Sequence, residues 1–105
     1  MKNCLYHVTD PANVTSIMRE GLKRKGFAVY LSKNPFSWWK PGMVILRVRT
    51  SGLKGEMTTF LPESDEILYW GDIDPARVKE YRPKKSEYEE ALSRYRDFFP
   101  DSEEE

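Results

Sequence analysis

Thirteen residues near the start of the chain, Asp10 to Leu22, constrain its fold more than any others, because both ends of a helix are written in them. Asp10 is a good N-cap, and Pro11 suits the first helical position, where its missing N–H leaves nothing unsatisfied. Val14, Ile17 and Met18 recur at i, i+3 and i+4, so one apolar stripe runs along the segment. Gly21 falls where a glycine should end the helix, and Leu22 can close the hydrophobic contact behind it. The spacing predicts a helix over 11–20. It follows directly on a short strand from Lys2 to Val8. Leu5 and His7 lie on one face of that strand, and Cys4, Tyr6 and Val8 on the other.

The remainder reads mainly as strands. Phe27 to Leu31 is rich in β-formers and expected to be buried on both faces. Met43 to Thr50 sets Val44, Leu46 and Val48 against Arg47 and Arg49, the alternation of a half-buried strand. Met57 to Leu61 is a short strand stopped by Pro62, and Glu66 to Trp70 is another, broken by Gly71. Asp74-Pro75-Ala76-Arg77 reads as a capped turn, after which Val78 to Arg82 extends again. Ser86-Glu87-Tyr88-Glu89 reads as a capping box opening a helix over 86–98. The apolar stripe of that helix (Tyr88, Ala91, Leu92, Tyr95) is expected to pack across the sheet. Strands gathered after the first helix predict an α+β fold with mostly antiparallel pairing, not a doubly wound sheet. At 105 residues the chain reads as one domain, 1–99, with an acidic tail, 100–105, too polar to bury itself.

Charge and cysteine content narrow the function. Lys+Arg equals Asp+Glu, yet from Arg19 to Lys54 nine residues are basic and one acidic, whereas from Gly55 to Glu80 seven are acidic and two basic. A basic half favours phosphates, of a dinucleotide or of RNA. Cys4 stands alone and His7 is the only histidine, which argues against a disulfide and against a structural metal. No apolar run approaches 18 residues, so the expectation is a soluble, cytoplasmic protein without a membrane partner. GxGxxG, Walker and CxxC motifs are missing.

Three pieces, in order, resemble the ADP-ribosyltransferase fold, which includes poly(ADP-ribose) polymerases and diphtheria-type toxins. Tyr6-His7-Val8-Thr9 is similar to the family's first strand, aromatic-His-Gly-Ser/Thr. The helix that follows ends Ile17-Met18-Arg19-Glu20-Gly21-Leu22, like the family's Ile-x-x-x-Gly-Leu. Val29-Tyr30-Leu31-Ser32 is similar to the second strand, Gly-x-Tyr-Phe/Leu-Ser/Ala, and Glu66 to Ile73 to the strand opening with the family's glutamate. The likeness covers roughly residues 4–82. Val8 stands where many members have glycine, and Ser64 where arginine-modifying members usually carry glutamate, which points away from arginine as acceptor.

The resemblance implies a split, mostly antiparallel sheet and a catalytic triad of His7, Tyr30 and Glu66 around one cleft. It implies NAD as substrate, held by His7, Val8, Thr9, Tyr30 and Ser32, with ADP-ribose passing to a macromolecular acceptor, protein or nucleic acid. A toxin-like role suits so compact a member. Tyr30 would stack on nicotinamide, the Val8 backbone would hold its amide, and Glu66 would stabilise the charged ribose. Phe36, Trp38 and Trp39 are the candidates for the family's second stacking ring. Two other readings stand beside this one. A related RNA 2′-phosphotransferase also consumes NAD, but typically carries Arg where Tyr30 stands. The third is a binding module that kept the fold without the chemistry.

Overall fold

A computed structural model of the chain describes residues 3–24, 28–59 and 63–99. The fold is α+β: a six-stranded antiparallel sheet and two α-helices. The strands are β1 (Cys4–Thr9), β2 (Val29–Ser32), β3 (Val44–Arg49), β4 (Met57–Thr58), β5 (Glu66–Tyr69) and β6 (Val78–Glu80). The helices are α1 (Val14–Glu20) and α2 (Lys85–Phe98). Across the sheet the strands run β4-β5-β2-β1-β3-β6, and every pairing is antiparallel. The expected ends at Lys2, Phe27 and Leu61, and the tail 100–105, lie outside the described residues.

The helix expected over 11–20 forms as a 3₁₀ turn, Pro11–Asn13, running into α1. Asp10 Oδ1 accepts from the Ala12 N–H at 3.2 Å, and Asp74 repeats the device with Ala76 at 2.9 Å. Each Asp-Pro-Ala stretch thus satisfies an amide that the first helical turn leaves without a partner. Gly21 ends α1 at φ 86° and ψ −174°, which turns the chain so that Leu22 and Ile73 exchange backbone hydrogen bonds of 2.9 and 2.8 Å.

One face of the sheet carries the main core cluster, while Tyr6, Ile45 and Leu68 are buried on the other. Val29, Leu31, Leu46, Val48, Ile67, Tyr69 and Val78 project from the strands and meet Leu22 and Ile73. Ile17 of α1 packs against that cluster, whereas Met18 of the expected stripe is exposed and Val14 is half-buried. Alternation on β3 holds as well: Leu46 and Val48 are fully buried, while Arg47 and Arg49 are exposed.

Three details differ from the expectation. β2 is not buried on both faces, because Tyr30 is 48% exposed. Glu87, not Glu89, caps α2: its Oε1 accepts from the Lys84 N–H at 2.9 Å, since the helix starts one residue early. Ala91 is the buried residue of α2, and its aromatic contacts run to the turn after β2, where the Tyr88 and Trp39 rings meet edge to face at 5.6 Å.

On the other face, Tyr6 packs edge to face on Tyr81 at 5.3 Å. Burial pushes both phenols above the ordinary value of 10.0, helped by the Cys4 thiol beside Tyr6 and by the Glu87 carboxylate that accepts from Tyr81. A raised folded value means that the fold favours the protonated phenol. That contribution is whole below pH 10 and is lost as pH rises through the raised values. Urea midpoints should therefore fall as pH climbs past about 10, and fall less in a Tyr6→Phe/Tyr81→Phe variant. An equal fall in both proteins would show that other groups set the alkaline limit.

Candidate functional site: a seam between two strands

The central pair of the sheet is the one that comes apart. β1 and β3 pair along six positions, from Cys4↔Arg49 to Thr9↔Val44, whereas β1 and β2 pair at Tyr6↔Ser32 alone. Beyond that position the His7 ring enters the seam, and its Nδ1 lies 2.9 Å from the Tyr30 carbonyl oxygen. A carbonyl only accepts, so Nδ1 carries a proton and donates to it.

Two cavities open on the two sides of this seam. The smaller, about 290 Å³, is lined by Tyr6, His7, Val8, Tyr30, Trp38 and Glu66, with Leu31 behind them. The larger, about 520 Å³, lies on the α1 side and includes Thr9, Asn13, Ile17 and Lys23. His7, Val8 and Tyr30 border both. The three residues expected around one cleft, His7, Tyr30 and Glu66, are thus brought to one cavity from three strands. They do not share a sheet face. The register puts His7 opposite Leu46, on the core face, while Tyr30 pairs with Leu68 and Glu66 with Ser32 on the other face. They meet because the β1–β2 ladder stops and leaves His7 an opening from face to face.

The other expected binding residues divide. Val8 stands at the seam and borders both cavities. Thr9 borders the larger one but is 6% exposed, and its Oγ1 accepts from Asn13 Nδ2 at 3.2 Å. Ser32 is 1% exposed and lines neither cavity, because its hydroxyl donates to the Asn34 carbonyl at 2.8 Å. In this structure that hydrogen bond ties it to the turn after β2.

Of the three aromatic candidates in that turn, Trp38 faces the Glu66 cavity and is 59% exposed. Phe36 and Trp39 pack on each other at 5.3 Å and face α2. Asp65 holds the turn in place: Oδ2 accepts from Asn34 Nδ2 at 2.9 Å and from Ser37 Oγ at 2.7 Å, and its carbonyl accepts from the Lys33 N–H at 2.9 Å. The same residue precedes Glu66, so the aromatic lip and the carboxylate are tied through one link. Nothing local marks Asp65 as a clamp, since its partners lie about thirty residues upstream.

Among the described residues, no group of His, Cys, Asp and Glu is placed to hold a metal ion, and no helix is long and apolar enough to cross a membrane. No protein-family model and no curated protein matches the chain, so the site is read from its own residues.

Proposed function

We propose that the protein is an NAD-dependent ADP-ribosyltransferase that passes ADP-ribose to a macromolecular acceptor and releases nicotinamide. The observation that carries the reading is the convergence of His7, Tyr30 and Glu66 on one cavity at the seam between β1 and β2. In this reading the seam is the split of the transferase sheet.

Two cavities sharing His7, Val8 and Tyr30 suit a ligand with two halves. The nicotinamide half belongs in the smaller one. Tyr30 and Trp38 offer aromatic surface there, and the Val8 backbone lies where the ladder ends. The adenosine half belongs in the larger one, whose lining includes the polar side chains of His7, Asp10, Asn13, Ser16, Glu20 and Lys23.

The bond from ribose C1′ to the nicotinamide nitrogen breaks, and its electron pair neutralises the departing ring. The acceptor nucleophile bonds to C1′ and loses a proton. Between these events positive charge sits on the ribose, and a carboxylate beside it stabilises that state more than the ground state. Glu66 is the carboxylate on this cavity.

The test is nicotinamide release from NAD, with affinity followed by calorimetry. Tyr30→Ala should weaken NAD binding by about tenfold or more, since stacking on an aromatic ring is made in the ground state. A chain that neither binds NAD nor releases nicotinamide would end the transferase reading.

A further inference from the structure

The register sets five side chains in one row on one face of the sheet: Glu66, Ser32, Tyr6, Arg47 and Lys79. The row starts at the candidate catalytic carboxylate and ends on two cations directly opposite each other on β3 and β6. Arg49 lies two residues along from Arg47 on the same face. Arg47, Arg49 and Lys79 are exposed. Arg77 closes the strip, donating to the carbonyls of Arg49 at 3.1 Å and Ser51 at 2.6 Å. Carbonyls orient that guanidinium without neutralising it.

Like charges directly opposite on neighbouring strands oppose folding. Here no strand carboxylate of β1, β3 or β6 shares their face. Glu80 belongs to the opposite one, opposite Leu46, where it bridges Arg82 at 3.6 Å. The ion pairs among the described residues join Arg19 to Glu20, Arg24 to Asp72, Arg82 to Glu80 and Arg94 to Glu90, and none draws on this strip. A repulsive arrangement kept on a surface suits an anionic partner. A line of exposed cations at the β3–β6 end of this face, with the half-buried Tyr81 ring at its border, fits a chain of phosphodiesters better than a single phosphate.

We propose that Arg47, Lys79 and Arg49, with Arg77 at their end, bind the phosphate backbone of single-stranded nucleic acid and make it the acceptor of the transferase. With strands about 4.8 Å apart, Arg47 lies about 14 Å from Glu66 across the sheet, with the buried Tyr6 and Ser32 between them, so a bound strand spans two to three nucleotides or more to reach from one to the other. The acceptor part rests on the transferase reading; the binding surface stands without it.

Fluorescence anisotropy with labelled RNA and DNA twenty-mers, at about 50 mM salt and without NAD, tests the surface. The comparison is wild type, Arg47→Glu/Lys79→Glu, and Arg19→Glu/Lys54→Glu, whose charge change is identical but lies elsewhere. Each variant is first checked for an unchanged circular dichroism spectrum. The strip variant should lose affinity by tenfold or more and flatten the salt dependence by about 1.4 in log–log slope, for two lost phosphate contacts. The control should stay within threefold of wild type. No binding by wild type, equal losses in both variants, or equally tight binding of poly-glutamate would overturn the surface. Nicotinamide release is measured on the same proteins with and without oligonucleotide. Binding without any release would retain the surface and reject the acceptor role. Release with no covalent label on the oligonucleotide would also reject that role.

Discussion

Glu66→Gln should cut nicotinamide release on the order of 100-fold or more while leaving NAD affinity within a few-fold. The substitution keeps the shape of the side chain and removes its charge. The backbone around it stays fixed: its N–H donates to Ser64 Oγ at 3.0 Å, and it pairs with Ser32. In the proposed reaction nicotinamide would already bear its positive charge in the bound substrate, at the stacking rings. The carboxylate matters when charge passes to the ribose, so its loss falls on the rate and not on binding. A rate within threefold of wild type would remove Glu66 from the chemistry. Glu63 and Glu56, which precede the same strand, would then be tested. His7→Ala should harm binding and rate together, because the ring touches both cavities.

The largest effect on stability is expected at a residue with no side chain. Gly21 sits at φ 86° and ψ −174°, a region that glycine alone occupies readily. A Cβ there would run into the Ile73 carbonyl oxygen, which accepts from the Leu22 N–H, and would press on the Pro75 ring. Backbone strain and the lost Leu22–Ile73 bridge together should cost Gly21→Ala about 3 kcal/mol or more. For a domain of this size that is a large part of the whole stability, and a fall in Tm of about 15 °C. Gly42→Ala supplies the contrast: φ is 95° there too, but nothing lies within 4 Å of the added atom. It should lose only about 1–2 kcal/mol. Equal losses at the two glycines would mean that the Ile73 contact is not what makes Gly21 necessary.

The parts of this fold that were legible in the sequence are those with local causes. The cap at Asp10, the stop at Gly21 and the alternation on β3 each follow from residues a few positions apart. Strand neighbours are different, because pairing joins residues with no local mark of one another. That β1 lies between β2 and β3, with its ladder to β2 stopping at Tyr6, could not be read from either strand. The failure on Tyr30 has the same root. An apolar, β-branched context looks buried, but the seam leaves that ring half in solvent. At Ser32 the motif position suggested a ligand, and the burial of its hydroxyl against the Asn34 carbonyl was not legible from the strand pattern. Asp65 and the Arg47–Lys79 row went unseen because their meaning lies in partners on other strands.

The single rung between β1 and β2 also bears on how the molecule comes apart. In most sheets the central strands exchange their amide protons last, and exchange works inward from the edges. Here the weakest boundary lies in the middle, and β4-β5-β2 and β1-β3-β6 are joined across it at Tyr6↔Ser32. Amide exchange should resolve two cooperative blocks, with the protons of β2 and β5 released together and separately from those of β1 and β3. A ligand lodged in the seam would act as a suture. It would slow exchange on both sides at once, including at amides that it never touches.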